Sequence, residues 1–181
     1  MQHFDGLSDG ATLTNQYAGL TFSNAIVLTA GVSLNEFEFP PHSGTNVVSD
    51  NGGPMFISFS TPVESFSGYF TYAEPLTIDA FGAANNLLTS VTSAFSNNET
   101  LSVFGSSPNE LLKLSSASGI SLVAITGDPA GESFTLDDAT YGTTSPTVPE
   151  PSSLSLCLVG LGVVLLVLCG DRRYRDRAGR F

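Results

Sequence analysis

Four aspartates stand near the two ends of the first 142 residues. Asp5 and Asp9 lie in Phe4-Asp5-Gly6-Leu7-Ser8-Asp9-Gly10, and Asp137 and Asp138 close Phe134-Thr135-Leu136-Asp137-Asp138. Calcium takes roughly six to eight oxygen ligands from carboxylates and backbone carbonyls. In a sandwich whose first and last strands lie side by side, these carboxylates could supply several of them. Only Lys113 offers positive charge in this part of the chain. Such a cluster therefore binds a cation or stays solvated. The expectation is a structural calcium site at Asp5, Asp9, Asp137 and Asp138, set against two solvated aspartates at a strand end.

Other chemistry is poorly supplied. His3 and His42 are the only histidines. Either could serve a Ser-His-Asp set, but serines and aspartates are so abundant that the match carries no information. No Gly-x-Ser-x-Gly elbow and no His-Glu-x-x-His occur, and two isolated histidines make a poor zinc site. Asn51-Gly52-Gly53 reads as a turn, since no lysine and no helix follow to make a phosphate cradle. Glycoside hydrolysis needs two carboxylates about 5–9 Å apart, a spacing that only the fold decides. The expectation is a protein without enzymatic activity. Asn98-Glu99-Thr100 fits an N-glycosylation acceptor and is read as a chance match.

Charge narrows the partners. Residues 1–170 carry fifteen acidic side chains against Lys113, a formal net of −14, while the last eleven residues contribute +3. A body this acidic repels nucleic acid, which demands clustered Lys and Arg, and it repels anionic surfaces. Cations and neutral polysaccharide suit it. Both cysteines, Cys157 and Cys169, lie in a late apolar run, so no disulfide holds the body together.

The elements that must position these residues are strands. Met55–Ser60, Phe66–Tyr72 and Leu76–Phe81 alternate with period two. Ala25–Thr29, Glu36–Phe39, Leu88–Ala94, Leu101–Phe104, Gly119–Thr126 and Glu132–Tyr141 are further strand candidates. Asn109–Leu114 reads as one helical turn or an edge strand. Turn signals punctuate the series, among them Asn51-Gly52-Gly53-Pro54 and Gly127-Asp128-Pro129. The pattern predicts an all-β, antiparallel β-sandwich over residues 1–142. Thirteen phenylalanines and no tryptophan suit a core between two sheets, leaving Tyr17, Tyr69 and Tyr72 as the better surface candidates.

A different composition follows. Residues 143–151 hold Pro146, Pro149 and Pro151, which preclude regular helix and read as an extended linker or spacer. Residues 152–170 are uncharged and rich in Leu and Val. As a helix they span roughly 28 Å, about one bilayer core. Residues 171–181 hold Arg172, Arg173 and Arg175, and positive flanks stay in the cytoplasm, which places the acidic body outside.

Val148-Pro149-Glu150-Pro151, an apolar span and an arginine-rich end together resemble the PEP-CTERM sorting signal of Gram-negative bacteria. The resemblance implies recognition of Val148, Pro149, Glu150 and Pro151 by an exosortase, a membrane-embedded processing enzyme. It assigns Arg172, Arg173 and Arg175 to stop-transfer. It also implies an inner-membrane-anchored protein that reaches the cell surface or extracellular matrix after processing. The body is similar to a recurring ectodomain of such proteins, through Thr14-Asn15-Gln16-Tyr17-Ala18-Gly19-Leu20-Thr21-Phe22, Phe70-Thr71-Tyr72 and Ala124-Ile125-Thr126-Gly127-Asp128-Pro129 with Phe134–Tyr141. That likeness implies a jelly-roll-like sandwich akin to carbohydrate-binding modules, covering most of residues 4–142.

Two readings of function follow. One is a surface protein whose ectodomain binds glycan or exopolysaccharide. The other is a structural or adhesive protein that self-associates through its sandwich. Export also calls for an N-terminal signal, and Met1-Gln2-His3-Phe4 has neither a charged start nor an apolar run. The expectation is a start site upstream, or a signal already removed.

Overall fold

The computed structural model describes residues 2–142. Val148, Pro149, Glu150, Pro151, the apolar span and Arg172, Arg173 and Arg175 lie outside the described residues. Within them the chain forms eight strands: β1 (Leu20–Ser23), β2 (Ala25–Thr29), β3 (Asn46–Asp50), β4 (Met55–Tyr72), β5 (Thr77–Phe81), β6 (Leu87–Thr92), β7 (Glu110–Thr126) and β8 (Phe134–Gly142). No helix among the described residues is long and apolar enough to cross a membrane.

Every strand pairing is antiparallel. The hydrogen-bonded path runs β2-β3-β8-β4-β7-β5-β6, with β1 added to β4. β4 and β7 are long enough to serve two layers. Met55 faces Ile125 at one end of their ladder and Phe70 faces Glu110 at the other, but the register breaks between Ser58 and Ser65. Before the break β4 also pairs with β1, and after it with β8. Bulges of this kind bend strands and let them change sheets. Pro62 falls inside the break, where no ladder N–H is needed. Opposite it Gly119 adopts φ +82°, and a Cβ there would stand 3.0 Å from the Pro62 ring. One layer is thus β1-β4-β7-β5-β6 and the other β2-β3-β8-β4-β7.

The core fills the space between the layers. Phe22, Ile57, Ile78 and Val123 come from the first, and Val27, Phe66, Phe70, Leu112 and Leu136 from the second. Burying each such side chain contributes about 1.5–3 kcal/mol. Truncating one, as in Leu136→Ala, costs about 2–5 kcal/mol.

The second layer departs from simple alternation. All five residues of β3 and the first six of β8 are buried. Strands lose alternation when both faces are covered. Here the outer cover is the long β2–β3 connection, residues 30–45, which folds back as a strap and buries Leu34. Connections this long are uncommon in hairpins and tend to carry function.

The structure corrects two expected strands. Glu36–Phe39 lies in the strap and Leu101–Phe104 in the β6–β7 connection, and neither pairs with a sheet. Asn35 begins a turn in which its carbonyl accepts from Glu38 and Phe39, and Leu101 sits at φ +64°. Of Asn109–Leu114, the part from Glu110 is edge strand, the start of β7, which pairs there on its β4 side only, and Asn109 precedes it at φ +63°.

Candidate functional site

The two ends of the body do lie side by side. The Gln2 amide donates to the Ala139 carbonyl at 2.6 Å, forming a bridge to β8. Three of the four expected aspartates, Asp5, Asp137 and Asp138, meet the C-terminal end of the strap, and Asp9 meets its start. Asp5 Oδ1 accepts from the Thr45 amide at 2.7 Å and the Asn46 amide at 3.0 Å. Asp137 Oδ2 accepts from the Ser43 amide at 2.9 Å. Asp138 Oδ1 accepts from the Ser43 hydroxyl at 2.8 Å, and its Oδ2 pairs with His42 Nδ1 at 2.6 Å. Asp9 works at the opposite end, accepting from the Thr29 amide at 2.8 Å and the Ser33 hydroxyl at 2.5 Å. Among the described residues no group of three or more His, Cys, Asp or Glu side chains is arranged to hold a metal ion. These oxygens meet N–H and O–H donors of the strap instead.

Burial and partners set the protonation of these groups. Burial raises the Asp137 carboxyl, reinforced by the neighbouring Asp138 charge and opposed by the Ser43 hydrogen bond. Burial also pushes on Asp138, but hydrogen bonds from His42 and Ser43 and the nearby imidazoles outweigh it and hold the group below its ordinary value. The Ser33 hydrogen bond lowers Asp9.

Between the strap and the outer face of the second layer lies a cleft of about 320 Å³. Its floor is Ile26 and Leu28 of β2, Ser49 of β3 and Thr135 of β8. Ile26 stands opposite Ser49, and Ser49 opposite Thr135, so the floor is one row across three strands. The strap supplies a wall of Ser33, Leu34, Asn35 and Phe39, and one end is closed by Asp50, Asn51 and Glu132. Asp50 is fully buried and tied to the Ser133 amide at 2.9 Å and the Phe134 amide at 3.2 Å, and burial raises its pKa. Asn35, Asn51 and Glu132 are exposed, and Phe39 is half-buried. A second opening, about 310 Å³, lies by Phe59, Val63 and Tyr141 and is lined by no carboxylate or amide side chain.

The aromatic assignments change. Tyr72 is fully buried, its hydroxyl bonded to Glu110, and is not a surface residue. Tyr17 is half-buried and donates to the His3 carbonyl at 3.0 Å. Tyr69 is half-buried beneath His42. Among the described residues Phe37 and Phe104 are instead the exposed aromatics, at 81% and 104%, and Leu101 of the β6–β7 connection is exposed too. Their loops are joined by the Thr100 amide, which donates to the Glu38 carbonyl at 3.1 Å. Asn98 is fully buried, with its amide nitrogen donating to Phe70 and Ser107, and it is not presented as a glycosylation acceptor. Sequence reasoning missed the whole cleft wall. Its only signal was the length of the stretch between Thr29 and Asn46, broken by Gly31, Pro40, Pro41 and Gly44.

Comparison with known proteins gives one sequence match and several fold neighbours. Residues 147–173 match the family described as the PEP-CTERM protein-sorting motif. No curated protein matches the chain significantly in sequence. Among solved structures, the K2 cleaved adhesin domain of Lys-gingipain is 14% identical, with a TM-score of 0.48 over 78% of this chain and 98% of that one. The K1 cleaved adhesin domain of Lys-gingipain from Porphyromonas gingivalis is 11% identical, with a TM-score of 0.46 over 71% and 93%. TmCBM61, solved with beta-1,4-galactotriose, is 12% identical, with a TM-score of 0.44 over 71% and 91%. The chain is an antiparallel β-sandwich followed by a PEP-CTERM protein-sorting motif at residues 147–173, the signal of an exported protein that is anchored through its C-terminal segment and sorted to the cell surface.

Proposed function

We propose that the ectodomain is a non-enzymatic, neutral-glycan-binding module displayed by its sorting motif. The observation that carries this reading is the cleft under the strap. Ile26 and Leu28 on its floor and the half-buried Phe39 suit the C–H face of a sugar ring. Exposed Asn35, Asn51 and Glu132 offer amide donors, amide acceptors and a carboxylate to the ring's hydroxyls. Its volume, about 320 Å³, falls at the small end of ligand sites, which run to roughly 300–1,000 Å³. The acidic body favours neutral over anionic polysaccharide. In this reading an exosortase-type enzyme acts on Pro149, Glu150 and Pro151 and delivers the module to the surface or matrix. Titration of the full-length protein with neutral oligosaccharides, against Phe39→Ala and Asn35→Ala, tests it.

A second reading has its own support. Phe37, Leu101 and Phe104 are exposed apolar side chains on two loops joined by a backbone hydrogen bond, which suits an adhesive or self-associating surface protein. Sedimentation of the wild type against Phe37→Ser with Phe104→Ser distinguishes it, since only self-association through these side chains is lost in that variant.

A further inference from the structure

The C-terminal end of the strap is held by an arrangement of charges that the glycan reading does not use. Asp138 turns its two carboxylate oxygens to two different imidazoles. His3 Nδ1 lies 2.6 Å from Oδ1, and His42 Nδ1 lies 2.6 Å from Oδ2. The Asp138 side chain is only 3% exposed, whereas the imidazoles are 52% and 35% exposed. Protons therefore reach the rings freely, while the carboxylate between them is shielded from solvent and salt.

The three residues belong to three separate pieces of chain. His3 lies in the N-terminal segment, His42 in the strap and Asp138 in β8. Asp138 takes φ +49°, a left-handed conformation in which Asp and Asn are the best tolerated non-glycine residues. Other ionisable groups frame the cluster. Asp137 of β8 donates no charge relief and bonds the Ser43 amide; Asp5 of the N-terminal segment bonds Thr45 and Asn46. Tyr69 of β4 lies flat under His42. Lys113 of β7 is exposed and stands opposite Ser67, one step along β4 on the same face as Tyr69. The near surroundings are thus carboxylates, a phenol and, one step further along the sheet, the Lys113 ammonium.

The geometry points to a proton-operated clasp: imidazolium at His3 and His42 locks the strap onto β8 and keeps the cleft formed, and loss of those charges lets the strap lift. A neutral ring still offers one N–H to the carboxylate, so deprotonation weakens the clasp and does not abolish it. The link to the cleft is short. Thr135 of the floor is two residues from Asp137 on the same face of β8, and Asn35 and Phe39 of the wall are carried on the strap that His42 holds. The effect on ligand affinity rests on the glycan reading; the clasp itself does not.

Backbone hydrogen exchange tests the clasp without any ligand. The full-length protein in neutral detergent is measured at about pH 5.5 and about pH 8.5, on either side of the range in which histidine changes charge. Rates are corrected for intrinsic chemistry, with β4 amides as the internal reference. The clasp predicts strap opening greater on the order of fivefold at the higher pH, the scale of a partly exposed ion pair. Asp138→Asn, which the backbone accommodates, opens the strap equally at both. His3→Asn with His42→Asn does the same and guards against a folding defect peculiar to the first variant. Equal corrected exchange at the two pH values in the wild type overturns the clasp, as does a pH response that survives in the double histidine variant. Oligosaccharide affinity is then measured at both values. A pH-responsive strap without oligosaccharide binding keeps the clasp and overturns the glycan reading. Binding with a pH-indifferent strap does the reverse.

Discussion

His42 lies flat on Tyr69, with ring centroids 3.5 Å apart and planes 10° from parallel. The contact joins the strap to β4, and the same imidazole reaches Asp138 on β8. A stacked aromatic ring and a carboxylate contact on one side chain fix the strap in position as well as in height. The four aspartates do related work around it, since each accepts hydrogen bonds from donors in the strap or at its flanks. What the chain's acidic ends build is the frame of a cleft.

The Asp5 anchor leaves no room for a side chain beneath it. Gly44 adopts φ +58°, and a Cβ there would stand 2.0 Å from Asp5 Oδ2. Gly44→Ala therefore strains the backbone and displaces the carboxylate from Thr45 and Asn46. The expected loss is about 1–3 kcal/mol, read as a lower urea midpoint. An unchanged midpoint would show that Asp5 does not hold the strap.

Acid should weaken the Asp138 anchor in a defined direction. Burial opposes ionisation there, but the His42 and Ser43 hydrogen bonds and the imidazole charges win and lower the folded value. Its stabilisation is therefore complete above about pH 4, the ordinary unfolded range, and is lost as pH falls through the lower folded value. Asp137 and Asp50 have the opposite sign, because burial raises them; their contributions are present below the unfolded value and lost as pH rises through the folded one. The stability difference between wild type and Asp138→Asn should shrink as pH is lowered from about 6 to about 2. A difference that stays constant over that range would contradict the assignment.

Tyr72 should titrate late. Burial, then its hydrogen bond to the Glu110 carboxylate and that group's charge, push its phenol up to about 12. Near-ultraviolet titration should show one tyrosine ionising well after the ordinary group, and Tyr72→Phe should remove that step. The same variant leaves Glu110 without its buried donor and should cost about 1–3 kcal/mol. Loss of a step at the ordinary tyrosine range would place Tyr72 in water instead.

Much of the fold was legible because the first layer alternates. Met55-Phe56-Ile57-Ser58-Phe59 buries one face and exposes the other, and Thr77–Phe81 behaves likewise. The second layer was harder to read. Asn46-Val47-Val48-Ser49-Asp50 has no alternation because the strap covers its outer face, so β3 went unrecognised. β1 was noticed only as part of a motif. Glu36–Phe39 looked like a strand because Phe37 and Phe39 alternate with acids, yet the turn at Asn35 keeps the segment off the sheet. Asp5, Asp137 and Asp138 were legible as carboxylates that the adjoining chain ends bring near one stretch, residues 42–46, while Asp9 bonds Thr29 and Ser33 at the other end of the strap. Their partners were not foreseeable, because backbone amides of a loop leave no mark in composition.

The sorting motif has a direct chemical prediction. Glu150→Ala removes the only charge within Pro149-Glu150-Pro151. In the native host, the wild type should lose its apolar span and reach the surface fraction, while the variant keeps it and stays in the membrane. Mass spectrometry of the fractionated protein reads both outcomes. Retention of the span by both proteins would make the prolines a spacer.

The measurement that bears most directly on the account is calorimetric titration of the full-length protein with a panel of neutral oligosaccharides, paired with Phe39→Ala. Phe39 forms the strap side of the cleft and lies outside the main core, so its removal should leave the fold intact. The account predicts saturable binding of at least one neutral oligosaccharide by the wild type, weakened about tenfold or more in Phe39→Ala, as befits loss of an aromatic contact. Binding that is indifferent to Phe39, or no binding across the panel by a folded protein, would contradict it.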